Sequence, residues 1–245
     1  MNEGSGPMRL GIVVPVYNEE RYITRLFDGI REKISTPKKV TLIYDSDEDT
    51  TLPVVRSVKG RYDFEIELVK NRYGKGALNA IKTGLEMSDE AWVLVTMADL
   101  SDDLSCVDSM CEIAKNGVDI VCGSRYMRGG KQIGGPLLKR TLSRMAGVSL
   151  HYLTGIPTHD VTNSFKLYTR KMLQEFKIES TGGFELGMEL TVKAFTHGYT
   201  IAELPSVWLD RMEGQSNFKM WSWMPRYIHW YLYCIKRTWL RRTHS

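Results

Sequence analysis

The chain opens its patterned region with Leu10–Val16 (LGIVVPV), an apolar run rich in branched residues that breaks into the polar Tyr17–Glu20 (YNEE). A stretch of helical spacing follows from Arg21 to Glu32. The pattern then repeats. Lys39–Tyr44 (KVTLIY) ends in the acidic Asp45–Asp49 (DSDED), and a third strand over Phe64–Val69 leads into Gly74–Gly76 (GKG). After it, Leu78, Ile81 and Leu85 recur at helical intervals. Trp92–Asp103 (WVLVTMADLSDD) is a β-favouring run that ends directly in three carboxylates; a helix across Ser105–Lys115 and a strand over Val118–Cys122 follow. Strands alternating with helices predict an α/β fold, a mostly parallel sheet flanked by helices. No linker, repeat or low-complexity tract divides the chain. A single domain is therefore expected over 9–219, with a flexible 1–8 before it and a basic, aromatic segment over 220–245 after it.

In sheets of this kind the ligand crevice lies beyond the carboxyl ends of the strands. Polar clusters stand at that edge four times: YNEE, DSDED, ADLSDD and GSRY. A helix cap would need only one of Asp99, Ser101 or Asp102, so the cluster exceeds that demand and points to a site. Five histidines and no HExxH pair argue against a zinc hydrolase. Carboxylates are hard oxygen ligands and suit Mg²⁺ or Mn²⁺, with substrate phosphates completing the shell. Lys75, between two glycines at a helix start, is placed to offer an ammonium and backbone N–H groups to phosphate, although the Walker pattern is missing.

Composition adds little until charge is followed along the chain. Hydrophobic content of 42% and charge of 25% fit a folded soluble enzyme and exclude a disordered chain. Cys106, Cys111, Cys122 and Cys234 have no metal-like spacing and read as reduced thiols, and MNEGSGP lacks the apolar core of a signal peptide. The net charge is +4, yet no acidic residue follows Glu213, while Lys219, Arg226, Lys236, Arg237, Arg241 and Arg242 do. That asymmetry predicts an anionic partner for the C-terminus. Pro225 fits the first turn of a terminal helix. Helical spacing sets Arg226, His229, Arg237 and Arg241 along one stripe, away from Tyr227, Trp230, Tyr231 and Ile235. The apolar run is far below the ~20 residues of a bilayer span. Such a helix suits the surface of an anionic membrane. A helix packed on the domain is the alternative, and no nucleic-acid motif accompanies the basic residues.

PVYNEE, the acidic end of strand two, NRYGKGALNAIKTGLE, MADLSDD, GSRYMRGG, Asp160–Arg170, GGFELGMEL and LDRMEGQSNFK occur in that order. The chain resembles family 2 glycosyltransferases over about Arg9–Pro225, specifically the polyprenyl-phosphate branch that includes dolichyl-phosphate mannosyltransferases. The resemblance implies a GT-A (Rossmann-like) fold and inverting transfer of a mannose- or glucose-like sugar. The implied donor is a nucleotide diphosphate (GDP-mannose or a UDP-sugar), and the acceptor is polyprenyl or dolichyl phosphate. It further implies a peripheral location on the cytoplasmic face of a membrane. Pro15, Tyr17 and Glu19 would line the nucleoside pocket, with Asp45 reading base or ribose and Lys75, Met97 and Ala98 lining the donor site. Asp99 would hold the divalent metal, Mg or Mn, while Arg211 and Lys219 cover the diphosphate. Arg125, Lys139, Arg140 and Ser143 would face the acceptor phosphate, with Asp160 and Glu189 expected as partners of these cations or as catalytic acids. The sequence departs from the family at Met97, where the first acid of DxD belongs, and at Tyr44–Asp47 (YDSD), Asn163–Lys166 (NSFK) and Gly214–Lys219 (GQSNFK). Transfer to a sugar hydroxyl, or a binding subunit without catalysis, would use the same motifs.

Overall fold

Leu10–Val16 becomes β1, whose seven residues are all buried at the centre of a sheet. Leu10, Ile12, Val14 and Val16 face one layer and Val13 the other, the two-residue period of a strand covered on both sides. The computed structural model describes residues 9–210 and 220–242. In chain order, α1 (Ile23–Lys33), β2 (Lys38–Tyr44), α2 (Thr51–Val58), β3 (Glu65–Lys70), α3 (Ala77–Met87) and β4 (Trp92–Val95) follow β1. Then come α4 (Val107–Lys115), β5 (Ile120–Ser124), β6 (Lys131–Ile133), α5 (Leu137–Thr154), β7 (Lys166–Thr169) and α6 (Arg170–Glu175). The last described elements are α7 (Leu186–His197), β8 (Ile201–Pro205), β9 (Val207–Leu209) and α8 (Met220–Arg242).

Seven strands form one sheet in the order β3-β2-β1-β4-β7-β5-β8, and β6 pairs with β9 in a small second one. β7 runs antiparallel to both β4 and β5, while the other pairings of the main sheet are parallel. This is the single, mostly parallel α/β domain expected. Element limits move by a few residues. The helix expected from Ser105 begins as a 3-10 turn, Leu104–Cys106, capped by Asp103, and only then becomes α4. The strand expected from Val118 begins at Ile120.

One layer packs α1 and α4 on β1 through Leu26, Phe27, Ile30, Val107 and Met110. The other packs α3, α7 and α8 through Ile81, Leu85, Met188, Leu190, Trp230 and Cys234. The helix of the C-terminal segment therefore shares the core of the domain. Its aromatic face turns inward: Trp230, Cys234 and Thr238 are buried, and Tyr227, Tyr231 and Ile235 pack against the same cluster. The face left outside is another one, with Ile228, Leu232, Trp239 and Leu240 exposed beside Lys236, Arg237 and Arg241. Pro225 lies inside the helix rather than in its first turn, because α8 begins at Met220. All four cysteines are buried free thiols, pushed up to about 11 or 12 chiefly by burial.

Candidate active site

The carboxyl ends of β1, β2, β4 and β5 do meet at one edge, and backbone-to-side-chain bonds tie their loops together. Asn18 takes a left-handed conformation (φ 55°) just after β1. Its N–H donates to Asp49 (3.2 Å), and its own side-chain oxygen accepts from the Thr50 N–H (3.2 Å). The Glu19 N–H donates to Thr51 Oγ1 at 2.9 Å. YNEE and DSDED are thus one unit, with Asp49 as its buried pivot. Pro15 is buried in β1, and Tyr17 projects from its end, 63% exposed. Asp45 accepts from Asn71 Nδ2 (2.7 Å) and from the Gly76 N–H (2.8 Å). Gly76, at φ 119°, gives its amide to Asp45, so that N–H is not among those offered to phosphate. Lys75 stands exposed beside it.

Each carboxylate after β4 has a local partner. Asp99 accepts from the Ser101 N–H (3.1 Å) across Leu100, which is held at φ 62°. Asp102 accepts from Thr96 Oγ1 (3.0 Å) and the Met97 N–H (3.1 Å), and Asp103 from the Ser105 N–H (3.0 Å). The cluster therefore does more turn-building than the sequence suggested. Asp102 nonetheless stands out. Burial first, then the negative charge of Asp99, pushes its carboxyl up to about 7, against the pull of those two donors. The sequence signal for it was its place three residues after Asp99 in an acidic run. No group of three or more His, Cys, Asp or Glu able to hold a metal occurs among the described residues. Asp99 and Asp102 are hard oxygen donors of the kind a divalent cation takes when phosphate completes its shell, and a cation there would offset the negative charge of Asp99 that bears on Asp102. Met97 and Ala98 contribute backbone here; Ala98 is buried. Arg211 and Lys219 lie outside the described residues.

On the acceptor side, Arg125 does not offer an open guanidinium. Asp160 takes its Nε (2.7 Å), its Nη2 (2.9 Å) and its backbone N–H (3.0 Å). Ser143 and Thr162 receive further Nη2 contacts at 3.3 and 3.2 Å. Burial pushes the Asp160 carboxyl up, but the Arg125 charge and hydrogen bonds outweigh it and leave it below the ordinary carboxylate value. Asp160 in turn holds the Arg125 guanidinium above its usual value, against its own desolvation. Arg125 thus organises the wall of the site. Ser143 also accepts from Tyr126 Oη (2.9 Å) and contacts Thr162 Oγ1 (2.5 Å). Gly147 lets α5 approach this wall, since a Cβ there would lie 2.1 Å from the His159 carbonyl oxygen. Lys139 and Arg140, one turn before Ser143, are half-buried.

One expectation is revised, and one further residue takes a structural role. Glu189 serves none of these cations: it accepts from the Glu179 and Ser180 N–H groups (2.7 and 2.8 Å) and pairs with Lys193 at 2.6 Å. Lys166, noted only as a departure, is fully buried and donates to the Val161 (3.1 Å) and Asn163 carbonyls, pinning the loop that carries Asp160. Burial lowers its pKa. A lysine at the start of a buried strand was the available signal.

A mostly parallel sheet with acids and cations gathered at its carboxyl edge defines a class, and the solved structures it resembles are GT-A glycosyltransferases. Glucosyl-3-phosphoglycerate synthase from Mycobacterium tuberculosis, in complex with Mn²⁺, UDP-glucose and phosphoglyceric acid, superimposes with a TM-score of 0.69 at 15% identity. The match covers 94% of this chain and 80% of that one. The chain belongs to glycosyl transferase family 2, whose model matches residues 11–176. It is 25% identical over 218 residues to a dolichol-phosphate mannosyltransferase of Pyrococcus furiosus, covering 86% of this chain but 60% of that longer protein. It is also 26% identical over 202 residues to a dolichyl-phosphate hexose transferase of Haloferax volcanii, covering 82% and 83% of the two.

Proposed function

We propose that the protein transfers a hexose, with inversion, from a nucleotide diphosphate to a polyprenyl phosphate at the cytoplasmic surface of an anionic membrane. The observation that carries this reading is α5. Its first turns carry Lys139 and Arg140, three to four residues before Ser143, which meets Arg125 Nη2 at 3.3 Å, and its outer face continues into exposed Leu138, Met145 and Tyr152, seven residues apart. Groups suited to a phosphate and apolar groups suited to lipid thus lie on one helix. Neither α5 nor α8 contains Asp or Glu, and their exposed apolar residues lie among basic ones, as suits an anionic lipid surface. No helix among the described residues is long and apolar enough to cross a membrane.

The departing nucleotide diphosphate accumulates negative charge, and stabilising it is the main electrostatic task. Asp99, with Asp102 beside it, would hold a divalent metal, which when bound neutralises that charge. Arg211 and Lys219 would add to it. A phosphate monoester has a second pKa of about 6, by analogy with phosphorylated side chains, so at neutral pH it attacks as a dianion and requires no general base. Lys139 and Arg140 then orient the dianion. The similarity to a dolichol-phosphate mannosyltransferase and a dolichyl-phosphate hexose transferase supports a lipid phosphate acceptor. Incubating the full chain with a panel of GDP- and UDP-sugars, Mn²⁺ and a short prenyl phosphate tests the reading. Formation of an acid-labile glycosyl prenyl phosphate is expected; turnover only with a sugar hydroxyl acceptor would refute it.

A further inference from the structure

We infer that the C-terminal helix completes the acceptor-phosphate site, with Arg226 of α8 as a further phosphate ligand; the assignment rests on the lipid-phosphate reading above.

The helix is built onto the site loop through two glycines. A Cβ on Gly182 would fall 2.0 Å from Arg226 Nη1 and 2.5 Å from its Cδ and Cζ, so the arginine lies flat against that backbone. A Cβ on Gly183 would fall 2.6–2.8 Å from the six-membered edge of Trp223, whose ring also meets Phe184 edge-on at 5.9 Å. The same two glycines donate their N–H groups to the buried Glu185 at 2.8 and 2.7 Å. The loop over 182–185 is therefore shaped to receive α8 on one side and to hold a carboxylate on the other.

Two independent relations put this first part of α8 beside the Arg125 wall. Ser149 and Tyr231 share a hydroxyl contact of 2.8 Å, and Cys234 reaches Thr154 at 3.9 Å, so α5 and α8 run in the same direction. The segment that follows the two glycines also closes on the loop carrying Asp160: a Cβ on Gly187 would fall 3.0 Å from the Asn163 carbonyl oxygen and 3.5 Å from Ser164 Cα. Tyr227 also senses both charges of the site: burial and then Glu185 raise its hydroxyl well above the usual value, and Arg125 opposes them. Arg226, its neighbour, has no carboxylate partner among the described residues. Arg125 is already committed to Asp160, so a dianion entering here needs other cations. Arg226 is half-buried and planar, and its paired N–H groups match a phosphate.

Calorimetric titration of the full chain with geranyl phosphate, and with geraniol as the uncharged control, tests this. Arg226→Gln should weaken geranyl phosphate binding about ten- to hundredfold, the loss of a charge-assisted contact, and leave geraniol binding as it was. Arg226→Lys should recover part of the affinity, since the charge remains and the paired geometry does not. Arginine-directed footprinting of the unsubstituted protein guards against a folding defect: geranyl phosphate should protect Arg226. Unchanged affinity in Arg226→Gln, or equal reactivity of Arg226 with saturating ligand, overturns the assignment while leaving the functional reading standing. Absence of any binding of geranyl phosphate by the unsubstituted protein overturns that reading and the assignment together.

Discussion

Replacing Asp160 by Asn tests whether the Arg125–Asp160 pair frames the site. The Asp160 carboxylate is wholly inaccessible and the Arg125 side chain is 9% exposed. Oδ1 and Oδ2 accept from Arg125 N, Nε and Nη2, Thr162 Oγ1 and the Asn163 N–H. Asn keeps one acceptor but turns an NH₂ group toward the guanidinium, leaving a buried charge without its counter-ion. Breaking such a pair from one side costs about 3–5 kcal/mol. For a domain of this size that corresponds to a fall in Tm of roughly 6–20 °C. Thermal unfolding followed by circular dichroism, with urea titration to obtain ΔG, measures it. A loss under about 1 kcal/mol would place the pair in the range of exposed ion pairs and refute the account. The double substitution Arg125→Met with Asp160→Leu separates framework from chemistry. It should recover only part of the stability, because an apolar pair avoids the buried charge but leaves the Arg125 and Asn163 backbone N–H groups without their acceptor, while transfer to prenyl phosphate remains impaired.

Further outcomes are expected elsewhere in the site. Asp99→Asn should lower Mn²⁺-dependent binding of the sugar donor by at least about tenfold, equivalent to about 1.4 kcal/mol, with Tm little changed; titration calorimetry reads both arms. Asp102 has a folded value of about 7, above its ordinary 3.8, so the folded state binds the extra proton between these values. Its contribution to stability is therefore fully present below about pH 4 and is lost as pH rises through 7. Asp102→Asn should match the parent near pH 3.5 and exceed it progressively up to pH 8 in urea titrations; parallel pH profiles would refute the burial argument. Ile228→Glu with Leu232→Glu changes exposed positions of α8. Pelleting with anionic vesicles should fall severalfold with Tm preserved, whereas deletion of 236–245 should also lower Tm, because it removes the buried Thr238.

The alternation of apolar runs with helical spacing was enough to predict β1, β2, β3, β4 and α3 close to their places, because strand and helix periods are local properties of consecutive residues. The four polar clusters at strand ends were legible for the same reason. The reversal of β7 between two otherwise parallel strands was not, since Lys166–Thr169 is too short for its pattern to encode direction. The sequence also presented Arg125 as an open cation. Asp160, 35 residues away, takes that role from it, and only the packing of the Asp160 loop on β5 brings the two together. The C-terminal helix shows the same division. Its basic, acid-free composition was plain in the sequence, but which face turned inward was not. An amphipathic helix with two apolar stripes buries whichever one meets a complementary surface. Here that surface is made by α7, α5 and the glycines at 182 and 183, whose bare backbones admit Arg226 and Trp223. Side-chain identity sets what a helix can bury; the shape assembled by distant segments decides what it does bury.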